Sequence, residues 1–149
     1  MKLRSKKLSK ILALEAAEER RRGIVTGQSQ RQLDEQLARL GELNAYRHSY
    51  ADLSKSMQSV NSAHWKDYQS FLDRLDQAVQ SQQQMVYDSE QNLEAHRRRW
   101  LAKRQRLDSL QRVLERYQQE EQQFIERREQ RILDDMPRSE MPYDDNSED

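Results

Sequence analysis

From Tyr68 onward, apolar positions recur in alternating steps of four and three, through 72, 75 and 79 and on to 124. Twelve of the seventeen positions in that series are apolar or aromatic: Tyr68, Leu72, Leu75, Val79, Val86, Leu93, Trp100, Leu107, Leu110, Leu114, Tyr117 and Phe124. A period of 3.5 residues held over about eight heptads predicts one long helix in a left-handed coiled coil. The exceptions are Gln82, Ser89, His96, Lys103 and Glu121. The first four recur every seven residues, on one of the two seam positions. A seam polar at every second position is weakly held and opens more easily.

The preceding stretch is less regular. Leu33, Leu37 and Leu40 keep the period, after which the apolar phase slips to Leu43, Tyr46, Tyr50, Leu53 and Met57, with Gly41 at the slip. Gly23 and Gly27 flank the β-branched run Ile24-Val25-Thr26. Each Gly costs a helix roughly 1 kcal/mol against Ala, so fraying or bending is expected there. Between the two patterns lies "LSKSMQSVNS" (Leu53 to Ser62), with four serines and no strong apolar period. This is turn chemistry, and Asn61 or Ser62 is suited to cap the second helix.

The expected fold is therefore all-α, a long antiparallel two-helix coiled-coil hairpin. Its expected parts are helix 1 at about 2–55, a turn at about 56–61 and helix 2 at about 62–135, with a disordered acidic tail at 136–149. A turn centred near Met57 to Ser59 sets Tyr50 beside residues near 66, and Gly23 beside residues near 93. It also brings Arg20, Arg21 and Arg22 toward Arg97, Arg98 and Arg99.

One feature exceeds what a two-helix seam requires. In "HWKDYQSFLDRLDQAV" (His64 to Val79), a second row containing Phe71, Leu75 and Ala78 runs beside the first, continuing to Gln82 and Met85. A two-stranded coil cannot bury both rows. Either the core widens near the turn, or part of this set faces outward as an apolar-aromatic docking patch.

Composition narrows the function classes. Charged residues make up 35% of the 149-residue chain and apolar ones 34%, the profile of long helices with a narrow apolar stripe. There is no cysteine, hence no disulfide framework and no thiol chemistry. No apolar run matches a signal peptide or the roughly 20 residues of a membrane span, so a cytoplasmic location is expected. Net charge is zero but unevenly spread. Residues 1–31 carry nine Lys/Arg against three Glu, and residues 134–149 carry seven acids against Arg138. "HRRRWLAKRQR" (His96 to Arg106) adds six basic residues with no acid. Such runs read as solvated faces or contacts to an acidic protein, and no nucleic acid is expected as a partner.

Catalysis is not expected either. There is no Gly-rich phosphate loop, and His48, His64 and His96 are too far apart for a local metal motif. The many carboxylates lack a water-excluding cleft to tune them. No catalytic residue, metal site or cofactor is assigned.

The aromatic stretch also carries a likeness. "W-x-x-Y-x-x-F-L-x-x-L-x-x-A" (Trp65 to Ala78), just after the serine-rich turn, resembles the flagellar type III export protein FliJ family. "RWLAKRQRLDSLQRVLERYQQE" (Arg99 to Glu120) and "RREQRILDD" (Arg127 to Asp135) resemble its second half and its charged helix end. The likeness covers roughly Leu33 to Asp135. It implies a stalk of the hexameric flagellar export ATPase, similar to the central γ subunit of rotary ATPases. It further implies binding to the cytoplasmic part of the export-gate membrane protein, coupling ATP hydrolysis to substrate export, with export chaperones as further partners. The implied location is cytoplasmic and peripheral to the inner membrane at the flagellar base. Carried over by position, the gate-contact surface falls on Leu43, Tyr46, Tyr50, Phe71, Leu75, Ala78 and Gln82. The two Arg triplets, Arg20 to Arg22 and Arg97 to Arg99, are expected to face the ATPase ring, whose acidic lining would neutralise them. Stalk proteins of virulence type III secretion systems share the implied architecture and are the nearest alternative. A generic coiled-coil scaffold or nucleic-acid-binding protein would explain the Arg runs but not the aromatic row.

Overall fold

The computed structural model describes residues 2–57 and 62–137. Two helices account for nearly all of them: α1, Lys2–Met57, and α2, Ser62–Asp134. They pack against each other as an antiparallel coiled-coil hairpin, and the described residues hold no strand. Residues 58–61, which include the proposed cap Asn61, and the acidic tail from 138 onward lie outside the described residues. At its end α2 tightens, with the amide of Asp135 donating to the Arg131 carbonyl at 3.0 Å and that of Met136 to the Leu133 carbonyl at 3.3 Å. Pro137 follows, without an N–H to extend the pattern.

The paired helices divide into two compact units. One comprises Ala17–Gln105, and the other Met1–Ala16 with Arg106–Asp149. In the first, α2 presents Leu75, Val79, Gln82, Val86 and Leu93 as buried residues, all on the 3.5-residue series. Leu33 of α1 is buried against Val86 and Leu93, and Leu40 packs at the edge of this cluster. In the second unit no side chain is buried among the described residues. Leu8 and Leu12 of α1, and Leu107, Leu110, Leu114 and Tyr117 of α2, are half-buried. There the Ser5 hydroxyl donates to Glu121 at 2.8 Å, Arg106 meets Glu15 at 3.5 Å, and the Arg4 guanidinium sits 4.8 Å from the Tyr117 ring centroid.

Helix α1 departs from its expected phase. In the larger unit its shielded positions run through Arg22, Thr26, Ser29, Leu33, Gln36, Leu40, Leu43, Arg47, Tyr50 and Ser54. That is an unbroken alternation of four and three, with no slip at Gly41. Leu37 and Leu53, expected on the seam, are exposed. The physical reason is that polar residues hold seam positions by finding local partners. The Thr26 hydroxyl donates to the Arg22 carbonyl at 2.7 Å, and the Ser54 hydroxyl to the Ala51 carbonyl at 2.8 Å. Gln82 donates to Gln36, and Arg47 pairs with Asp76. An apolar pattern passes over such positions.

Two further expectations are corrected. The connection falls between Met57 and Ser62, later than assumed, which shifts the pairing. Tyr50 meets Tyr68, close to the residues near 66 that were expected, and also Phe71, whereas Gly23 faces Trp100 instead of residues near 93. The glycines do not interrupt α1, which is helical throughout Lys2–Met57. Gly23 instead leaves room for an indole, since a β-carbon there would stand 3.2 Å from the Trp100 ring.

Candidate docking site

Four aromatic rings gather where the last turns of α1 meet the first turns of α2. Tyr50 is at the centre, its ring centroid 4.6 Å from Phe71, 5.0 Å from Tyr68 and 6.3 Å from Tyr46. Tyr46 and Phe71 meet edge-on, at 6.4 Å and an interplanar angle of 83°. Tilted and edge-to-face pairs of this kind each contribute roughly 0.5–1.5 kcal/mol beyond the area they bury. The Tyr50 phenol is pushed up from its ordinary pKa, first by burial and then by the neighbouring Tyr68, Tyr46 and Asp67.

Heptad geometry explains why this cluster is not sealed inside. Leu72, Leu75 and Val79 occupy the seam. Phe71, Ala78 and Met85, each seven residues from the next, lie one position aside along the flank of α2. Arg39, Tyr46 and Leu53 form the matching flank row of α1. Tyr46 is 53% exposed, and Leu53 and Met85 are also exposed. Phe71 and Ala78 are half-buried. An open groove of about 360 Å³ adjoins them, lined by Arg39, Glu42, Leu43, Tyr46 and Gln82.

The seven positions carried over from the family likeness thus separate into two kinds. Tyr46, Phe71 and Ala78 stand on the flank, with Tyr50 and Leu43 half-buried beneath them. Leu75 and Gln82, at 8% and 7% exposure, belong to the seam. The Gln82 amide nitrogen donates to the backbone carbonyl of Gln36 at 2.9 Å and to its side-chain oxygen at 2.7 Å. Both help hold the helices together; Leu75 offers a partner little surface, while Gln82 also lines the floor of the adjoining groove. Leu53 and Arg39 share the flank with Tyr46 but were not singled out. The signal that finds them is their seven-residue spacing from Tyr46.

The Arg triplets lie opposite each other, but they do not form a bare cluster. Arg21 and Arg22 both engage Glu18, at 2.7 and 3.6 Å. The hydrogen bond from Arg21, with the nearby cations, holds the Glu18 carboxyl below its usual range. Arg98 pairs with Glu94 at 3.1 Å, and Arg97 donates to Gln30 at 2.9 Å. Arg20 and Arg99 are exposed, with no partner among the described residues. Of the six guanidiniums, three (Arg20, Arg97 and Arg99) meet no carboxylate among the described residues, and Arg97 has a neutral amide as its partner. Between the triplets, the Trp100 indole N–H donates to Glu19 at 2.8 Å, and Arg104 lies 5.5 Å from the Trp100 ring centroid.

No group of three or more His, Cys, Asp or Glu among the described residues could hold a metal ion. What this site offers is contact: an aromatic ridge and an adjoining groove on a rigid helical pair.

Among known families, the model described as Flagellar FliJ protein matches residues 4–140. No curated protein and no solved structure matches the chain.

Proposed function

The chain belongs to the flagellar FliJ family and is a component of flagellar type III protein export, and on that premise we propose that it works as a coiled-coil stalk between two partners. One is the hexameric export ATPase, and the other is the cytoplasmic part of the export-gate membrane protein. By binding both it couples ATP hydrolysis to the movement of export substrates. Its association with the inner membrane at the flagellar base then follows from the gate contact.

The observation that carries this reading is the outward aromatic row. Tyr46, Phe71 and Ala78 stand on one flank of the hairpin, where a two-helix coil needs no aromatic side chain. Aromatic residues on a rigid support are favourable anchors, because they bury much area while losing little side-chain freedom. Arg20 and Arg99 are the residues best placed to meet an acidic lining of the ATPase ring, since neither has a partner among the described residues.

Two binding measurements test the proposal. Tyr46→Ala and Phe71→Ala should each weaken binding to the gate's cytoplasmic part by about fivefold or more, given that interface anchors often carry above roughly 1 kcal/mol. Arg20→Glu with Arg99→Glu should weaken ATPase binding while gate binding holds. Unchanged affinity of the aromatic variants for the gate would remove the basis of the docking assignment.

A further inference from the structure

The smaller unit carries a face that its own packing leaves uncovered. Leu8, Leu12 and Glu15 point toward α2, Glu15 meeting Arg106. On the outer side, Lys7, Lys10, Ile11 and Leu14 follow the i, i+3, i+4, i+7 spacing that places residues on one helical face. Lys6 stands one turn before Lys10 and borders the same face. Ile11 is 46% exposed and Leu14 is 73% exposed. Lys6, Lys7 and Lys10 are exposed, with no ion-pair partner among the described residues. Glu15 is the first acid of the sequence; it borders this face one turn after Ile11, and its carboxylate is engaged by Arg106 of α2. Two aliphatic side chains are therefore surrounded by three uncompensated cations.

We propose that this face of α1 docks on an anionic lipid surface, lying in the plane of the headgroups. Lysine stems are apolar and their ammonium heads reach outward, so Lys6, Lys7 and Lys10 can meet lipid phosphates while Ile11 and Leu14 enter the acyl boundary. Charge complementarity alone would also suit a nucleic acid. A phosphate backbone, however, offers nothing apolar to cover Leu14, whereas an anionic bilayer satisfies both halves of the face. No described helix is long and apolar enough to cross a membrane, so the contact is peripheral. The proposal is independent of the gate and ATPase contacts and uses none of their residues.

Co-sedimentation of the full chain with vesicles tests it. Binding is expected to phosphatidylcholine vesicles containing phosphatidylglycerol, to fall as salt rises, and to be negligible with pure phosphatidylcholine. The triple variant Lys6→Glu, Lys7→Glu, Lys10→Glu should lose on the order of 100-fold in affinity for the anionic vesicles. The pair Ile11→Ser, Leu14→Ser should lose about tenfold or more, because buried aliphatic surface is removed. Both variants alter exposed positions, and circular dichroism should show unchanged helix content. Gate binding through Tyr46 and Phe71 should also be retained, which keeps this test separate from the docking proposal. Equal binding to both vesicle types, or none to the anionic ones, overturns the inference. So does full binding by the Ile11→Ser, Leu14→Ser variant together with equally tight binding to duplex DNA, which would make the face a general polyanion site.

Discussion

Gly23 lies against the indole of Trp100, so close that a β-carbon built on the glycine would sit 3.2 Å from the ring. The indole has little freedom to retreat. Its N–H is tied to Glu19 and Arg104 lies near its ring. Gly27, four residues on, has nothing within 4 Å of the corresponding point. The two glycines should therefore respond differently to the same substitution. Gly27→Ala should stabilise the helix by roughly 1 kcal/mol through propensity alone. Gly23→Ala gains the same term but must displace the indole, and overpacking typically costs about 1–3 kcal/mol. Urea unfolding of the two variants, with Trp100 fluorescence as a local reporter, decides the matter. Equal stabilisation at both sites would mean that the indole moves freely.

Gln82 is expected to act on stability. Its donors are both used on Gln36, and it is buried in the seam. Gln82→Ala should cost about 1–3 kcal/mol, since it strands polar partners and opens space. The double replacement Gln82→Leu, Gln36→Leu should recover most of that loss, because an apolar pair of similar volume needs no hydrogen bond. Melting curves give the answer. A Gln82→Ala protein as stable as the parent, yet weak in gate binding, would return this residue to the docking surface.

Leu75 and Tyr46 separate the seam from the flank. Leu75→Ala should destabilise the hairpin by roughly 2–5 kcal/mol, as for a buried Leu with little room to collapse. Tyr46→Ala removes an exposed ring that makes two aromatic pairs, with the edge of Phe71 and the tilted Tyr50, so its cost should be about 1–3 kcal/mol and below that of Leu75→Ala. Thermal unfolding of the two variants side by side is sufficient. If Tyr46→Ala unfolds as early as Leu75→Ala, the aromatic cluster is core and cannot be a free docking surface.

Tyr50 links the cluster to pH. Its folded pKa is raised, by burial first and then by Tyr68, Tyr46 and Asp67. For a raised pKa, the stabilising contribution is complete below the unfolded value and is lost as pH rises through the folded value. The aromatic end should thus loosen only in the alkaline range, above the ordinary tyrosine pKa of about 10. Ultraviolet titration should show one tyrosine ionising later than the rest, and Tyr50→Phe should remove that late component. Its persistence in Tyr50→Phe would assign the shift to another tyrosine.

Much of this molecule was already determined by the order of its residues. In α2 one of the two seam positions stays apolar from Leu72 to Trp100, so the 3.5-residue repeat located the buried face of the larger unit, from Leu75 through Val79 and Val86 to Leu93. The polar interruption at Gln82 did not disturb that reading. The extra aromatic row could be read as well, because Phe71 and Ala78 stand where a two-stranded coil has no use for them. Helix α1 was different. Its seam includes Arg22, Thr26, Ser29, Gln36, Arg47 and Ser54, residues whose solubility in water places them on a surface in any pattern of hydrophobicity. Only the neighbouring atoms, such as Gln82 for Gln36 and Asp76 for Arg47, make those positions inward-facing, and with them the leucines Leu37 and Leu53 turn outward. Register was decided by the same interactions. A 3.5-residue repeat matches itself at every heptad, so periodicity alone does not choose which residue Gly23 faces. The Trp100 indole, held by Glu19 and needing the space that a glycine leaves, shows the pairing that packing selects.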